Sequence, residues 1–177
     1  RTDMVEFKSV DISTASNLQS TWYNCNSLTS FPFIDTSSAT NFVYAWGSCT
    51  SLTSFPALDM SSGNSFQLAW HNCTALTSFP AGAKLGTSST NVSFSNAWRY
   101  TALTSFPAGL DLSQGNTFQS SFQDCSSLTS IGSGVLFGTA NSGVYFGYAW
   151  KSCTNLVTLP ADFNLSAGTN FRNAFQS

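Results

Sequence analysis

Charged residues are scarce in this chain. Lys, Arg, Asp and Glu make up 8% of its 177 residues, and six basic against eight acidic residues give a formal net charge of −2. Proteins that bind nucleic acid or anionic lipid concentrate Lys and Arg on one face, which six scattered cations cannot provide. No apolar run approaches the roughly 18 to 20 residues that span a bilayer. We therefore expect no nucleic-acid partner and no membrane insertion.

The residues of common catalytic and zinc sites are also few. The chain has one histidine, His71, and no two of its cysteines form a Cys-x-x-Cys pair. A cysteine–histidine nucleophile pair needs two side chains that face each other, but residues at i and i+2 of a helix, such as His71 and Cys73, point apart. The sequence therefore predicts a protein that is not an enzyme, with no catalytic residue and no cofactor.

What the sequence has in abundance is repetition. The first hydrophobic residues of seven units are Leu18, Phe42, Phe66, Phe94, Phe118, Phe146 and Phe171. Four positions later stand the aromatic residues Trp22, Trp46, Trp70, Trp98, Phe122, Trp150 and Phe175. The next marker is Leu28, Leu52, Leu76, Leu103, Leu128 and Leu156, at spacings of 24, 24, 27, 25 and 28 residues. Such periods are typical of leucine-rich repeats and similar solenoids, whose units bury their apolar faces only by stacking.

The spacing within a unit predicts its local structure. Phe66, Ala69, Trp70 and Cys73 lie at i, i+3, i+4 and i+7, which indicates a short amphipathic helix. The following Leu-Thr-Ser-Phe-Pro predicts an extended arm with a strand on one side of the proline, which cannot donate to a ladder. We expect an α/β solenoid, a leucine-rich-repeat-like stack of about seven units, each with a short strand or extended arm and a short helix. The units lie near 4–27, 28–51, 52–75, 76–102, 103–127, 128–155 and 156–177 of a single domain, 1–177.

Five cysteines recur at one repeat position, where we expect an inert, buried ladder. The alternative of a disulfide between neighbouring units, such as Cys25 with Cys49, stays open. The cysteines are Cys25, Cys49, Cys73, Cys125 and Cys153. The exceptional unit has lost one residue at Trp98-Arg-Tyr100, which predicts that Tyr100 stands in the place of the cysteine.

Four aspartates also share a repeat position: Asp11, Asp35, Asp59 and Asp111. The main interpretation is that each carboxylate accepts a hydrogen bond from a backbone amide two residues on, as Asp does in turns. The alternative is a calcium site, since carboxylates on neighbouring units repel unless they are paired or bound to a metal.

The repeat resembles that of a known family. Residues 59–78, D-M-S-S-G-N-S-F-Q-L-A-W-H-N-C-T-A-L-T-S, are similar to the repeat of BspA-like leucine-rich-repeat surface proteins, roughly D-T-S-x-V-T-N-M-x-x-M-F-x-x-C-x-x-L-T-S-L. The chain differs from that repeat by having Phe and Ala-Trp in place of Met and Met-Phe. Family members are bacterial surface proteins and lipoproteins, and similar repeats occur in viruses that infect bacteria. The resemblance implies adhesion or host attachment at a cell or virion surface, and it implies no catalytic residue.

We therefore expect a non-enzymatic adhesion module that recognises a glycan or a protein receptor outside the cell or on a virion. Alternatives are a structural subunit of an extracellular filament or virion, and an ice-binding solenoid with a threonine array. The pattern starts and stops inside a unit, which predicts a longer protein or self-association through uncapped ends. The candidate contact residues are Tyr23, Tyr44, Tyr148, Thr29, Thr53, Thr77, Thr104 and Thr129, together with Lys84 and Asn141 in the two longest loops.

Overall fold

The computed structural model describes residues 3–6, 8 and 10–177. This part of the chain contains ten short strands and no helix. The strands are β1 (Asp59–Met60), β2 (Lys84–Leu85), β3 (Val92–Ser93), β4 (Ser105–Phe106), β5 (Asp111–Leu112), β6 (Gly115–Thr117), β7 (Ser130–Ile131), β8 (Leu136–Phe137), β9 (Val144–Tyr145) and β10 (Gly168–Asn170).

All strand pairs are parallel and join neighbouring units. β1 pairs with β2, β4 with β7 and β5 with β8, while β3, β6, β9 and β10 form one four-stranded sheet. In the β4–β7 pair, for example, Ser105 lies opposite Ser130. Isolated parallel bridges continue this pattern towards the start of the chain, as between Ser30 and Ser54. Equivalent residues of successive units therefore lie side by side.

The prediction of an α/β solenoid with a helix in each unit is wrong. Between 66 and 73, the amides of Ala69 and Cys73 donate to carbonyls three residues earlier, at 3.1 and 3.2 Å. The amides of Leu68 and Trp70 instead donate to carbonyls of the next unit, at 3.0 and 2.9 Å. An α-helix would use all of these amides inside one segment. The segment is thus a series of tight turns that also forms hydrogen bonds between units.

The backbone angles explain why these turns form. Leu68 and Asn72 both lie in the left-handed region, with φ of 60° and 58°, and equivalent residues of the other units do the same. A left-handed residue at every fourth position cannot belong to a right-handed helix. Among the described residues, ten of the fourteen non-glycine residues with positive φ are Asn, Ser or Asp, and Asn and Asp tolerate this region best. The amino-acid choice at these positions therefore favours turns.

The aromatic positions that mark the repeat form the core. One column of stacked rings runs through the tryptophans, with the Trp46 and Trp70 centroids 5.5 Å apart, and a second runs through Phe66 and Phe94, 5.3 Å apart. A third column packs edge to face on the first, as Phe55 does on Trp46 at 4.7 Å. All five of these rings are at most 6% exposed.

Strand pairing lies on both sides of the proline. β4 ends at Phe106, directly before Pro107, and β5 begins at Asp111, four residues after it. Pro107 itself lies outside both strands, in agreement with its missing amide donor. The expectation of a strand on one side only was too narrow.

Candidate functional site

The threonine array lies on the surface as an exposed ladder. Thr29, Thr53, Thr77, Thr104 and Thr129 are all exposed. Each of the last four donates its amide to the carbonyl of the threonine before it, at 2.9 to 3.4 Å. The hydroxyls of Thr53, Thr104 and Thr129 donate to the same carbonyls as their amides, and the Thr129 hydroxyl lies 2.9 Å from the Thr104 carbonyl. These hydroxyls therefore help to hold the units together while the side chains remain at the surface.

The aspartate positions form turns, as their main interpretation predicted. The amides of Ser13, Ser37, Ser61 and Ser113 donate to the carboxylates of Asp11, Asp35, Asp59 and Asp111, at 3.1, 3.0, 3.1 and 2.9 Å. The hydroxyl and amide of Ser13 lower the pKa of Asp11 from its usual value. Bonds from Ser37 lower the pKa of Asp35 in the same way. Among residues 3–6, 8 and 10–177, no three His, Cys, Asp or Glu side chains are grouped to hold a metal ion.

Lys84 and Asn141 are engaged within the fold. The Lys84 ammonium lies 2.7 Å from the Asp59 carboxylate, and this hydrogen bond, followed by that from Ser61, lowers the pKa of Asp59. The Asn141 amide group donates to the carbonyls of Ser113 and Gly115, at 3.4 and 3.2 Å. Both long loops are therefore bonded to the unit before them, and these two side chains act in that bonding.

The cysteine ladder is buried and unoxidised. All five cysteines are free and at most 9% exposed. The Cys73 thiol donates to the Trp46 carbonyl at 3.1 Å, and Cys49, Cys125 and Cys153 make equivalent bonds. Burial raises the pKa of Cys49 and Cys153 to about 12 and that of Cys125 to about 11. The prediction of an inert, buried ladder is confirmed.

The tyrosines lie along one edge, formed by the tight turns, which we call the turn face. Tyr23 and Tyr44 meet edge to face with centroids 5.3 Å apart. A Cβ at Gly47 would lie 3.0 Å from the Tyr44 ring, so glycine lets the two rings close over the backbone. Tyr148 has the Lys151 ammonium 5.5 Å from its ring centroid, and the Arg172 guanidinium 5.7 Å away on the following unit.

The fourth unit interrupts this regular pattern. Thr101, not Tyr100, occupies the cysteine position, so that prediction was wrong by one residue. Thr101 is 4% exposed, and its hydroxyl lies 2.8 Å from the Trp98 carbonyl and 3.3 Å from the Cys125 sulfur. Tyr100 has a φ of 60° and a 41% exposed side chain, as a turn residue. The missing residue therefore falls after Thr101, before Leu103.

A cleft of about 300 Å³ opens in the turn face at this position. We call it the unit-four cleft. It is lined by Asn72, Thr74, Tyr100, Thr101, Ala102, Asp124, Ser126 and Ser127. The lining residues come from three successive units, and the unit with the shortened turn lies in the middle. Most of the side chains are polar, and Tyr100 adds one aromatic wall.

An ion pair, Arg99 with Asp124, and the His71 ring lie beside this cleft. The Arg99 guanidinium donates to Asp124 Oδ2 at 3.3 and 3.4 Å and lies 4.7 Å from the Tyr100 ring centroid. The His71 ring lies 5.7 Å from the Tyr100 ring. Burial, followed by the charge of Arg99, lowers the pKa of His71 from its usual value. His71 is half-buried.

Sequence reasoning did not select Arg99, Tyr100 or Asp124 as site residues. The available signal was the one-residue deletion, which lies close behind the Arg99-Tyr100 pair. Tyr23, Tyr44 and Tyr148 were selected, and the structure places them on the same edge but outside the unit-four cleft.

Comparison of the chain with protein-family models, with curated proteins and with solved structures gives no match. In the described part of the chain, no helix has the length and apolar character needed to cross a membrane.

Proposed function

We propose that this chain is a non-enzymatic attachment module that binds a surface glycan through its turn face. The main support is the concentration of partly exposed tyrosines on that edge. Tyr23 and Tyr100 expose 46% and 41% of their surface, while the tryptophan and phenylalanine columns behind them are buried. The role places the protein outside a cell or on a virion, where such attachment occurs.

The chemistry of the turn face suits a sugar. Aromatic ring faces carry partial negative charge and attract the slightly positive C–H groups of a sugar ring, while the hydroxyls need hydrogen-bonding partners around it. Tyr100 and Asp124 offer both kinds of contact within one cleft. The low overall charge favours a neutral ligand over a highly charged one.

A glycan array with the purified chain, run beside sizing at several concentrations, tests this function. We expect saturable binding of a neutral glycan by a monodisperse species. Tyr23→Ala should weaken it, and Thr53→Ala on the threonine ladder serves as the matched control. Binding to host cells that survives glycosidase treatment would point instead to a protein receptor. Absence of binding together with concentration-dependent polymer would favour a structural filament.

The threonine ladder supports a second candidate, ice binding. The 27-residue spacing from Thr77 to Thr104 does not break the ladder, since the Thr104 amide still donates to the Thr77 carbonyl at 3.1 Å. The longer loop is accommodated elsewhere in the unit. Thermal hysteresis of the purified chain, reduced by Thr77→Lys but unchanged by Tyr23→Ala, would support this candidate over glycan binding.

A further inference from the structure

The unit-four cleft originates from one missing residue. In the neighbouring units, the Leu76 amide closes a turn on the Cys73 carbonyl at 3.0 Å, and the Leu128 amide does so on Cys125 at 3.1 Å. Among the described residues, Leu103 makes no equivalent bond. The turn that precedes Leu103 is therefore one residue shorter than the equivalent turns on either side, and a gap opens there at the surface.

The floor of the cleft is closed and fixed. The buried Thr101 hydroxyl donates to the Trp98 carbonyl of its own unit at 2.8 Å, whereas the cysteine thiols donate to a carbonyl of the preceding unit, as Cys73 does to Trp46. Thr74 from the unit before, and Ser126 and Ser127 from the unit after, form the side walls. A ligand would therefore meet a rigid polar pocket and would not enter the aromatic core.

The rim supplies oriented hydrogen-bonding groups. Arg99 holds Asp124 through Oδ2, and their side chains are only 28% and 24% exposed. The other carboxylate oxygen, Oδ1, has no hydrogen-bond partner among the described residues. The Asn72 side chain, which can both donate and accept, lies on the same rim. Arg99 also lies over the Tyr100 ring and donates to its hydroxyl at 3.1 Å, which holds this ring in place.

Size and charge limit the ligand. A volume of about 300 Å³ is at the lower end for small-molecule sites, which range over roughly 300 to 1,000 Å³. It therefore suits a single ring with several hydroxyls. The positive charge of Arg99 is balanced by Asp124 at 3.3 Å, so the cleft offers no free cation for a phosphate, sulfate or carboxylate.

We propose that the unit-four cleft is the primary subsite of this protein and binds one neutral hexopyranose residue. In this site Asp124 Oδ1 and the Asn72 amide bond the sugar hydroxyls, and the Tyr100 ring packs against the sugar C–H face. The inference rests on the glycan-binding function proposed above, and it places the most tightly held sugar of the glycan in this cleft, while the other tyrosines of the turn face contact the rest of the glycan. The deletion in unit four is thereby a functional feature of the repeat.

NMR titration of the whole chain tests the subsite directly. The probes are the methyl glycosides of glucose, galactose and mannose, with methyl sialoside as the anionic comparison. We expect at least one neutral glycoside to shift the amide signals of Asn72, Thr74, residues 100–102 and residues 124–127. Methyl sialoside should bind no more tightly than the best neutral glycoside. A clear preference for the sialoside would overturn the assignment to a neutral sugar.

Two variants separate the cleft from the rest of the turn face. Asp124→Asn keeps the shape and tolerates the φ of 62° at this position, and should weaken binding about tenfold because a charged acceptor is lost. Insertion of one serine between Thr101 and Ala102 should restore the regular turn and abolish binding. Asp35→Asn, which removes an exposed carboxylate from a different edge, is the matched control and should change nothing.

The outcomes distinguish the subsite from the function. If glycan-array binding persists while both cleft variants bind normally, the function stands and the subsite proposal fails. The same conclusion follows if the shifted amides cluster around Tyr23, Tyr44 and Tyr148. If neither the array nor the methyl glycosides give binding, both proposals fail.

Discussion

The indole rings of Trp46 and Trp70 lie parallel, with centroids 5.5 Å apart and planes 5° apart. The same arrangement links Trp70 to Trp98 and Trp98 to Phe122. Each ring therefore packs against its equivalent in the units on both sides. Stacked aromatic pairs contribute about 0.5 to 1.5 kcal/mol beyond the burial of their area. The column thus couples neighbouring units and accounts for the strict aromatic position in the repeat.

Replacement of Trp70 tests this column. Trp70 is 0% exposed, so Trp70→Ala should lower the free energy of unfolding by about 3 to 5 kcal/mol. Trp70→Phe should cost less than half of that, because Phe122 already fills the equivalent position. In addition, the Trp70 Nε1 group is buried without a hydrogen-bond partner among the described residues, and its loss carries no penalty. Urea unfolding measures the free energy of unfolding of both variants. An equal loss of stability in the two variants would contradict the stacking argument.

A pair of glycine substitutions tests the turns against a helix. Leu68 has a φ of 60°, where a side chain is strained, so Leu68→Gly should leave the free energy of unfolding unchanged or increase it. In a helix, the same substitution would cost about 1 kcal/mol. Gln67→Gly, next to it at a position without positive φ, is the control and should cost about 0.5 to 1 kcal/mol. Larger destabilisation from Leu68→Gly than from Gln67→Gly would restore the helical interpretation.

The helix was predicted because two structures share one spacing. Phe66, Ala69, Trp70 and Cys73 would lie on one face of a helix, yet tight turns that repeat every four residues also bring these side chains to one side. Half of the turn amides bond to another unit, at a carbonyl 23 to 27 residues further along the chain. Helix propensity and hydrophobic periodicity describe only interactions within one segment. The hydrogen bonds that these amides form with another unit could therefore not be predicted from them. The Asn, Ser and Asp residues that stand directly before the cysteines were the local signal for left-handed turns.

Other features followed directly from the sequence. The repeat register identified the buried aromatics, the cysteine ladder and the Asp turns, because each depends on one residue type at one repeated position. The unit-four cleft could not be predicted in this way. The cleft depends on the exact position of the one-residue deletion. The structure places the missing residue after Thr101, whereas the sequence alignment, with Tyr100 in the cysteine position, had placed it one residue earlier.

The ion pair between Lys84 and Asp59 should contribute little to stability. Their side chains are 61% and 37% exposed, so Lys84→Met should cost less than about 1 kcal/mol. The pKa of Asp59 should rise towards its usual value, because the Lys84 hydrogen bond is the largest cause of its lowering. NMR titration of the carboxyl groups measures this rise, with Asp11, whose pKa is lowered by Ser13, as an internal reference that should not move.

The pH dependence of that substitution has a defined sign. The pKa of Asp59 is lowered in the folded state, so its contribution is present above the unfolded value of about 3.9 and is lost as pH falls. The difference in free energy of unfolding between the wild-type chain and Lys84→Met should therefore disappear in acid. A difference that persists at pH 2 would indicate that Lys84 acts through packing.

The buried thiols should make the fold sensitive to alkali. Burial raises the pKa of Cys49 to about 12, whereas an unfolded cysteine titrates near about 8.5. A raised pKa in the folded state gives stability that is complete below the unfolded value and is lost as pH rises towards the folded one. Between about pH 9 and 12, each such thiol should lower the free energy of unfolding by up to about 1.4 kcal/mol per pH unit.

Cys49→Ala isolates this effect from the titration of Lys and Tyr. At pH 7 the variant should be the less stable protein, because it loses a buried side chain and its bond to the Trp22 carbonyl. Its disadvantage should shrink steadily above pH 9, since the variant no longer has to keep the Cys49 thiol protonated, while the other four buried cysteines are present in both chains. Urea unfolding at pH 7, 9 and 10 measures the difference. A constant difference across this range would mean that water reaches the Cys49 sulfur in the folded protein.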